Sequence, residues 1–275
     1  MGSILLWIER SNNRMRISIS RKILMPLLAF AMLAGAHAQT PLRIAAAADL
    51  EPVLPPILVQ FAQATGIQAE ATFQASAVLT TQIQNGAPFD LFLSADTGYP
   101  KRLIDAGLAD AAGTADSSTP IVYARGTLVL WARKDSHLAP SLDLLRSPDL
   151  KRLAIANPDR APYGRAAVAA LTSLKLYDAL KPKLATAENI SQTAQFVDSG
   201  NADAGLISLT SALTARLAGD GNYFVIPHDL YPPIEQGVVI VSKTTQRTQA
   251  HKFLDYLLSA PIQAQLAKSG LTPVK

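Results

Sequence analysis

Apolar and polar positions along this chain switch repeatedly between a strand-like and a helix-like spacing. Leu42–Ala47 is a short apolar run and predicts a strand. The helical segment after it ends in Phe61-Ala62-Gln63-Ala64-Thr65-Gly66, with Gly66 as a C-terminal stop. Residues 67–73 read as a strand, and Ser76–Gln84 as a helix that Ser76 opens and Gly86 follows. The same reading gives strands at 89–94, 127–132, Leu153–Ala156, 204–207 and 238–241. It gives helices at 100–106, closed by Gly107, and at 164–174, 191–197, 211–217 and 248–258. Short strands alternating with helices predict α/β layers around parallel sheets.

Two breaks interrupt the alternation. One is the Gly-Thr-Ala-Asp-Ser-Ser-Thr stretch at 113–119, just before the extended Pro120-Ile121-Val122-Tyr123; the other is 227–233, ahead of 234–241. If extended segments at these breaks cross between two lobes, the chain leaves the first lobe near 120 and returns near 235. That assigns 39–121 and 235–275 to lobe I and 122–234 to lobe II, a division that suits the length of the chain.

The first 38 residues read as an export signal. Arg10, Arg14, Arg16, Arg21 and Lys22 form a basic region, 23–35 is apolar apart from Pro26, and Ala36-His37-Ala38 offers a small-x-small cleavage site. Met15 would serve equally well as a start. The apolar run is shorter than the roughly 20 residues a spanning helix needs. No cysteine follows the signal, so lipid anchoring is not indicated.

This segment changes the meaning of the charge. The whole chain of 275 residues carries a formal +4, but the signal holds five of its 25 Lys and Arg and one of its 21 Asp and Glu. What remains is balanced at 20 of each, without a basic stripe, and nucleic acid is not an expected partner. The absence of cysteine rules out disulfides, thiolate metal sites and thiol catalysis, and fits an oxidising periplasm.

Nucleotide-binding, zincin and nucleophile-elbow motifs are all missing. His137, His228 and His251 stand far apart, and no catalytic residue or metal-coordinating side chain is assigned. Asp90 and Asp96 bracket one strand; they suit either an acid–base pair or, for Asp96, a cap on the next segment. What recurs is a strand running into a helix start through small or polar residues. This happens at Ala47-Ala48-Asp49, Ala75-Ser76-Ala77, Ala161-Pro162-Tyr163-Gly164 and Glu188-Asn189-Ile190-Ser191. A helix start exposes unpaired N–H groups and partial positive charge, so it attracts anions. In open α/β sheets such junctions gather at one edge.

Taken in order, these junctions resemble the periplasmic molybdate-binding proteins of ABC importers, in the type II periplasmic-binding-protein superfamily. The resemblance rests on Ala45-Ala46-Ala47-Ala48-Asp49-Leu50 and on Gly86-Ala87-Pro88-Phe89-Asp90-Leu91-Phe92-Leu93-Ser94-Ala95-Asp96. Gly126-Thr127-Leu128-Val129-Leu130-Trp131, Ile155-Ala156-Asn157-Pro158 and Pro182-Lys183-Leu184 add to it. It implies two α/β lobes joined by two crossing hinge strands, and a monomer that closes on molybdate or tungstate and delivers the ion to a membrane permease. No cofactor is implied. Carried over by position, the oxyanion contacts are Ala48, Asp49, Ser76, Tyr163 and Ile190, with Asn189 capping the helix that Ile190 begins.

Two positions depart from a common form of that family. At the first junction, where a hydroxyl or amide is usual, this chain has Ala48 followed by Asp49; an ionised carboxylate would repel a dianion, so Asp49 is expected to cap the following turn and leave backbone N–H groups to the ion. Ser208 stands where some members carry a tyrosine; Tyr163 is read as the replacement donor, and Ser208 as making room or donating weakly to the ion. Three other readings stay open: a binder of sulfate or phosphate, an exported phosphatase- or sulfatase-like enzyme, and a sensor or adhesion module that has lost transport.

Overall fold

The computed structural model describes residues 40–111 and 118–274, together with a short antiparallel pairing of Ile4–Leu5 with Ser18–Ile19 that belongs to a separate N-terminal unit. Apart from that pairing, the export-signal expectation lies outside the described residues, as does most of the break at 113–119.

Twelve strands follow among the described residues of the main unit. They are β1 (Leu42–Ala47), β2 (Ala69–Gln74), β3 (Leu91–Ser94), β4 (Ala109–Asp110), β5 (Ile121–Gly126), β6 (Leu128–Arg133), β7 (Leu153–Ala156), β8 (Leu184–Ala187), β9 (Ala204–Ser208), β10 (Gly221–Val225), β11 (Ile234–Val241) and β12 (Thr272–Pro273). They form two sheets. The larger has the order β12-β5-β11-β3-β1-β2, with β4 also paired to β11; the smaller has the order β8-β7-β9-β6-β10.

The expected α/β layering is present, but the sheets are mixed rather than parallel. β1 runs parallel to β2 and β3, and β7 parallel to β8 and β9. β11 is antiparallel to β3 and β5, and β6 to β9 and β10. The reversal follows from the route of the chain. β5 lies in the larger sheet and passes through Thr127 alone into β6 of the smaller one; after β10 the chain returns through 226–233 into β11. β5 and β11 pair side by side with Ile234 opposite Gly126, so the two passages between sheets are neighbours. The first passage therefore falls at Thr127, later than the 120 read from the sequence.

Each sheet has its own core. Against the larger pack Leu54, Ile57 and Phe61 of the helix Leu54–Thr65 and Phe253 and Leu257 of Arg247–Leu258. The Phe61 and Phe253 rings meet edge to face with centroids 5.2 Å apart, a favoured aromatic geometry. Gly66 takes the left-handed conformation expected of a helix stop, at φ 74°. In the smaller sheet Leu128, Leu130 and Ile155 face one layer, Trp131, Val129 and Ile207 the other. The buried Trp131 donates to Leu217 O at 3.2 Å.

Some elements differ from the sequence reading. The helix expected at 211–217 is two short ones, Leu209–Ala212 and Ala215–Asp220, because Thr214 caps a fresh start by accepting from Leu217 N–H. β8, β10 and the helix Ala260–Lys268 are not anticipated by the hydrophobic pattern; β8 is Leu-Ala-Thr-Ala, too short and small to show a period. Among the described residues no helix is long and apolar enough to cross a membrane.

Candidate functional site

Four strand ends deliver four first turns to one small cleft. β1 leads into a 3-10 turn at Ala48–Leu50, and β2 into the helix Ser76–Gln84. β7 leads through a short loop into Pro162–Ser173, and β8 into Ile190–Asp198. Ala48, Asp49, Ser76, Tyr163, Asn189 and Ile190 all line the cleft, whose volume is about 10 Å³. Residues far apart in sequence and named from their junctions thus share one place. Ser208 is not on that lining. Its hydroxyl caps the helix Leu209–Ala212 and bonds to Thr210 and Ser211.

The cleft is rich in donors. First-turn N–H groups have no carbonyl one turn back to receive them. One is taken by the opposite wall, since Ala77 N–H donates to Arg160 O at 3.1 Å. Asn189 Oδ1 accepts from Gln192 N–H at 2.9 Å, the cap expected of it, which fixes Ile190 as the first helical residue. Ser76, 1% exposed, accepts from Ala95 N–H at 3.1 Å. Its hydroxyl hydrogen has no acceptor among the described residues and remains free to donate.

Asp49 does not cap the following turn. Its carboxylate bonds instead to residues of the helix Pro162–Ser173 and of β11. Its Oδ2 accepts from Tyr163 Oη at 3.1 Å and from Gln236 Nε2. The tyrosine hydroxyl read as a donor to the ion is therefore spent on Asp49. Gln236 is held in turn by Tyr123, which donates to Gln236 Oε1 at 2.6 Å. Thr210 donates to the Asp49 carbonyl at 2.7 Å. Burial is the main cause that pushes the Asp49 carboxyl from its ordinary 3.8 up to about 6, against the lowering effect of its Gln236 and Tyr163 hydrogen bonds. Burial, and after it the Asp49 charge, holds the Tyr163 hydroxyl well above its ordinary 10.

Neither Gln236 nor Tyr123 is among the site residues expected from the sequence. A signal exists for Gln236, a fully buried amide in β11 just ahead of its apolar run from Val238 to Val241. Behind the network Gly126 leaves room for the Tyr163 ring: a Cβ there would lie 2.2 Å from Tyr163 Oη. Gly126→Ala is accordingly expected to displace Tyr163 from Asp49 and to lower stability by about 1–3 kcal/mol, through overpacking. Thermal denaturation measures it, and an unchanged melting temperature would show that the ring can move aside freely.

Contacts across the mouth tie the two sides together. Ser191 Oγ donates to Glu51, and Arg165 pairs with Asp96 while also donating to Tyr99 Oη at 3.2 Å. Asp96 also accepts from Tyr99 N–H at 3.0 Å, the capping role expected of it. Asp90, at the other end of β3, is bound to Arg43 N–H and Thr244, so the two carboxylates are not a pair.

The chain matches the family described as bacterial extracellular solute-binding protein over residues 42–272. The molybdate-binding protein ModA of Azotobacter vinelandii is 37% identical over 88% of this chain and 93% of its own length. That of Rhodobacter capsulatus is 34% identical over 76% of this chain and 79% of its own. Among solved structures, the periplasmic molybdate-binding protein of Azotobacter vinelandii superposes with a TM-score of 0.79 at 29% identity, over 85% of this chain and all of that one. A sulfate-binding protein of Mycobacterium tuberculosis, 18% identical with a TM-score of 0.73, shares the fold. These relatives are binding proteins. By sequence, fold and the match across nearly the whole of its main unit, the chain belongs to the family of bacterial extracellular solute-binding proteins.

Proposed function

We propose that this protein captures molybdate, and tungstate alike, in the cleft between its two sheets and delivers it in the periplasm to the permease of an ABC importer. The observation that carries the proposal is the convergence of four first turns on a buried cleft that, apart from the Asp49 carboxyl, is lined by neutral groups and by no Lys, Arg or His. A tetrahedral dianion needs its water shell replaced by several fixed N–H and O–H dipoles, not by a counter-ion. The contacts come from the backbone at Ala48 and Asp49, from the N–H and hydroxyl of Ser76, and from the N–H groups of Tyr163 and Ile190. Asn189 holds the last in place. The relatives named for molybdate support this cargo over sulfate or phosphate.

A binder suits the cleft better than a phosphatase or sulfatase. Ser76 is its one aliphatic hydroxyl; no histidine or lysine lines the cleft, and the lining carboxyl, Asp49, is bonded to Tyr163 and Gln236 rather than to Ser76. Calorimetric titration with molybdate, tungstate, sulfate and phosphate tests the reading. It expects tight binding of the first two and weak binding of sulfate, whose smaller size leaves donors unfilled. Turnover of phosphate or sulfate esters would overturn it.

In the same reading the two sheets are the cores of two lobes, and the protein works as a monomer. The larger sheet, with the chain up to Gly126 and again from Ile234, is the core of lobe I; the smaller, with 127–233, is that of lobe II. Ser76 and Asp49 then lie on one lobe, Tyr163 and Ile190 on the other, and only closure completes the shell. The ion draws its binding free energy from the closed state and shifts the population toward it. Small-angle scattering is expected to show a more compact particle with saturating molybdate than without. Equal radii with the free protein open would rule out closure.

A further inference from the structure

We propose that Asp49 holds a proton on Oδ1 and donates it to the bound oxyanion, so that capture of a dianion takes up one proton from solution. The inference rests on the oxyanion reading above and assigns a role to the one lining side chain that contradicts it. The geometry fixes which oxygen carries the proton. Tyr123 donates to Gln236 Oε1, so Gln236 turns its Nε2 donor to Asp49 Oδ2, where Tyr163 also donates. Oδ2 is thereby filled with incoming hydrogens. Oδ1 has no partner although Asp49 is 1% exposed and lines the cleft.

An ionised Oδ1 would be a bare acceptor among donors, facing the negative oxygens of the ion. A protonated Oδ1 is a further donor, aligned with the others. The surroundings favour the second state. Tyr123, Tyr163 and Tyr231 all have hydroxyls raised above their ordinary range and are neutral. Thr210 adds only a neutral hydroxyl to the Asp49 carbonyl. On the same turn Glu51 contributes negative charge, bonded to Ser191. The cations near the mouth are engaged elsewhere, Arg165 with Asp96 and Arg160 with Glu188. Burial has already raised the carboxyl to about 6, against the lowering effect of its bonds to Gln236, Tyr163 and its own backbone, and an arriving dianion raises it further. The step is a simple protonation: a carboxylate becomes a carboxylic acid, and the proton comes from buffer or water.

Calorimetric titration of the wild-type protein with sodium molybdate in buffers of different ionisation enthalpy tests this. We expect uptake of about one proton per ion at about pH 7.5, and affinity falling about tenfold per pH unit between about pH 6.5 and 8.5. Asp49→Asn should bind without uptake and with little pH dependence. Wild-type binding with no buffer dependence and a flat pH profile would overturn the proposal and leave the function intact, as would uptake that persists in Asp49→Asn. If that variant folds poorly, the wild-type heats decide alone. Phosphate bound more tightly than molybdate without proton uptake would also overturn it, because an ionised Asp49 then accepts from the ion's own hydroxyl. Absence of binding by any oxyanion at every pH would instead strike at the functional reading beneath it.

Discussion

Ser76→Ala is expected to weaken molybdate binding by roughly 10- to 150-fold, the loss of one charge-assisted hydrogen bond worth about 1.5–3 kcal/mol. The hydroxyl is well placed for such an effect. It opens the helix Ser76–Gln84, is buried, and has its oxygen already fixed by Ala95 N–H, so its hydrogen points with little residual freedom. The same fixation gives the substitution a second cost. Ala95 is 2% exposed, and without Ser76 Oγ its N–H loses its acceptor. A buried donor left unpaired costs about 1–3 kcal/mol, so the ligand-free variant should also melt lower. The two effects separate experimentally: calorimetry reads the affinity, and thermal denaturation without ion reads the orphaned amide. A dissociation constant equal to wild type would remove Ser76 from the contact shell, whatever the melting temperature did.

How far the sequence discloses this site depends on the range of the interaction. Ser76, Tyr163 and Ile190 are legible because their signal is local. A strand end, a small or capping residue and a helix start lie within a few positions of one another, and the topology of open sheets gathers such junctions. Asn189 is legible for the same reason, since an N-cap acts over three residues. Asp49 defeats that local logic. A carboxylate one turn into a helix start reads as a cap, and only the fold brings β11 and the helix Pro162–Ser173 against it with two stronger partners. Gln236 and Tyr123 could be flagged as polar groups in buried strands, but not connected, because they meet through pairing of strands more than a hundred residues apart. The mixed direction of the sheets is hidden likewise. Strand direction is set by where the chain passes between sheets, and Thr127 carries no mark of a crossing. Ser208 is placed by position alone, and the short helix it caps turns its hydroxyl toward Ser211 rather than the cleft.

Burying the Asp49 carboxyl should destabilise the ligand-free protein at neutral pH, and Asp49→Asn should recover much of that loss. The carboxyl rises from 3.8 to about 6, with burial outweighing its Gln236 and Tyr163 hydrogen bonds. The folded state therefore holds its proton more tightly than the unfolded one. The stability that this proton confers is fully present below about pH 3.8 and is lost as the pH climbs through about 6. The integrated loss by pH 7 is about 3 kcal/mol, since each pH unit separating the folded from the unfolded value is worth about 1.4 kcal/mol. Asparagine keeps an oxygen for Gln236 and Tyr163 and cannot ionise. The stability difference between variant and wild type should thus be small near pH 4, widen between about pH 4 and 6.5, and level off above, at up to about 3 kcal/mol or roughly 6–12 °C in melting temperature. Taking the difference cancels every other titrating group common to both proteins. Melting curves without oxyanion across that range measure it. A gap that stays constant with pH would mean that Asp49 ionises as readily in the folded chain as in the unfolded one, and that its burial is relieved by water.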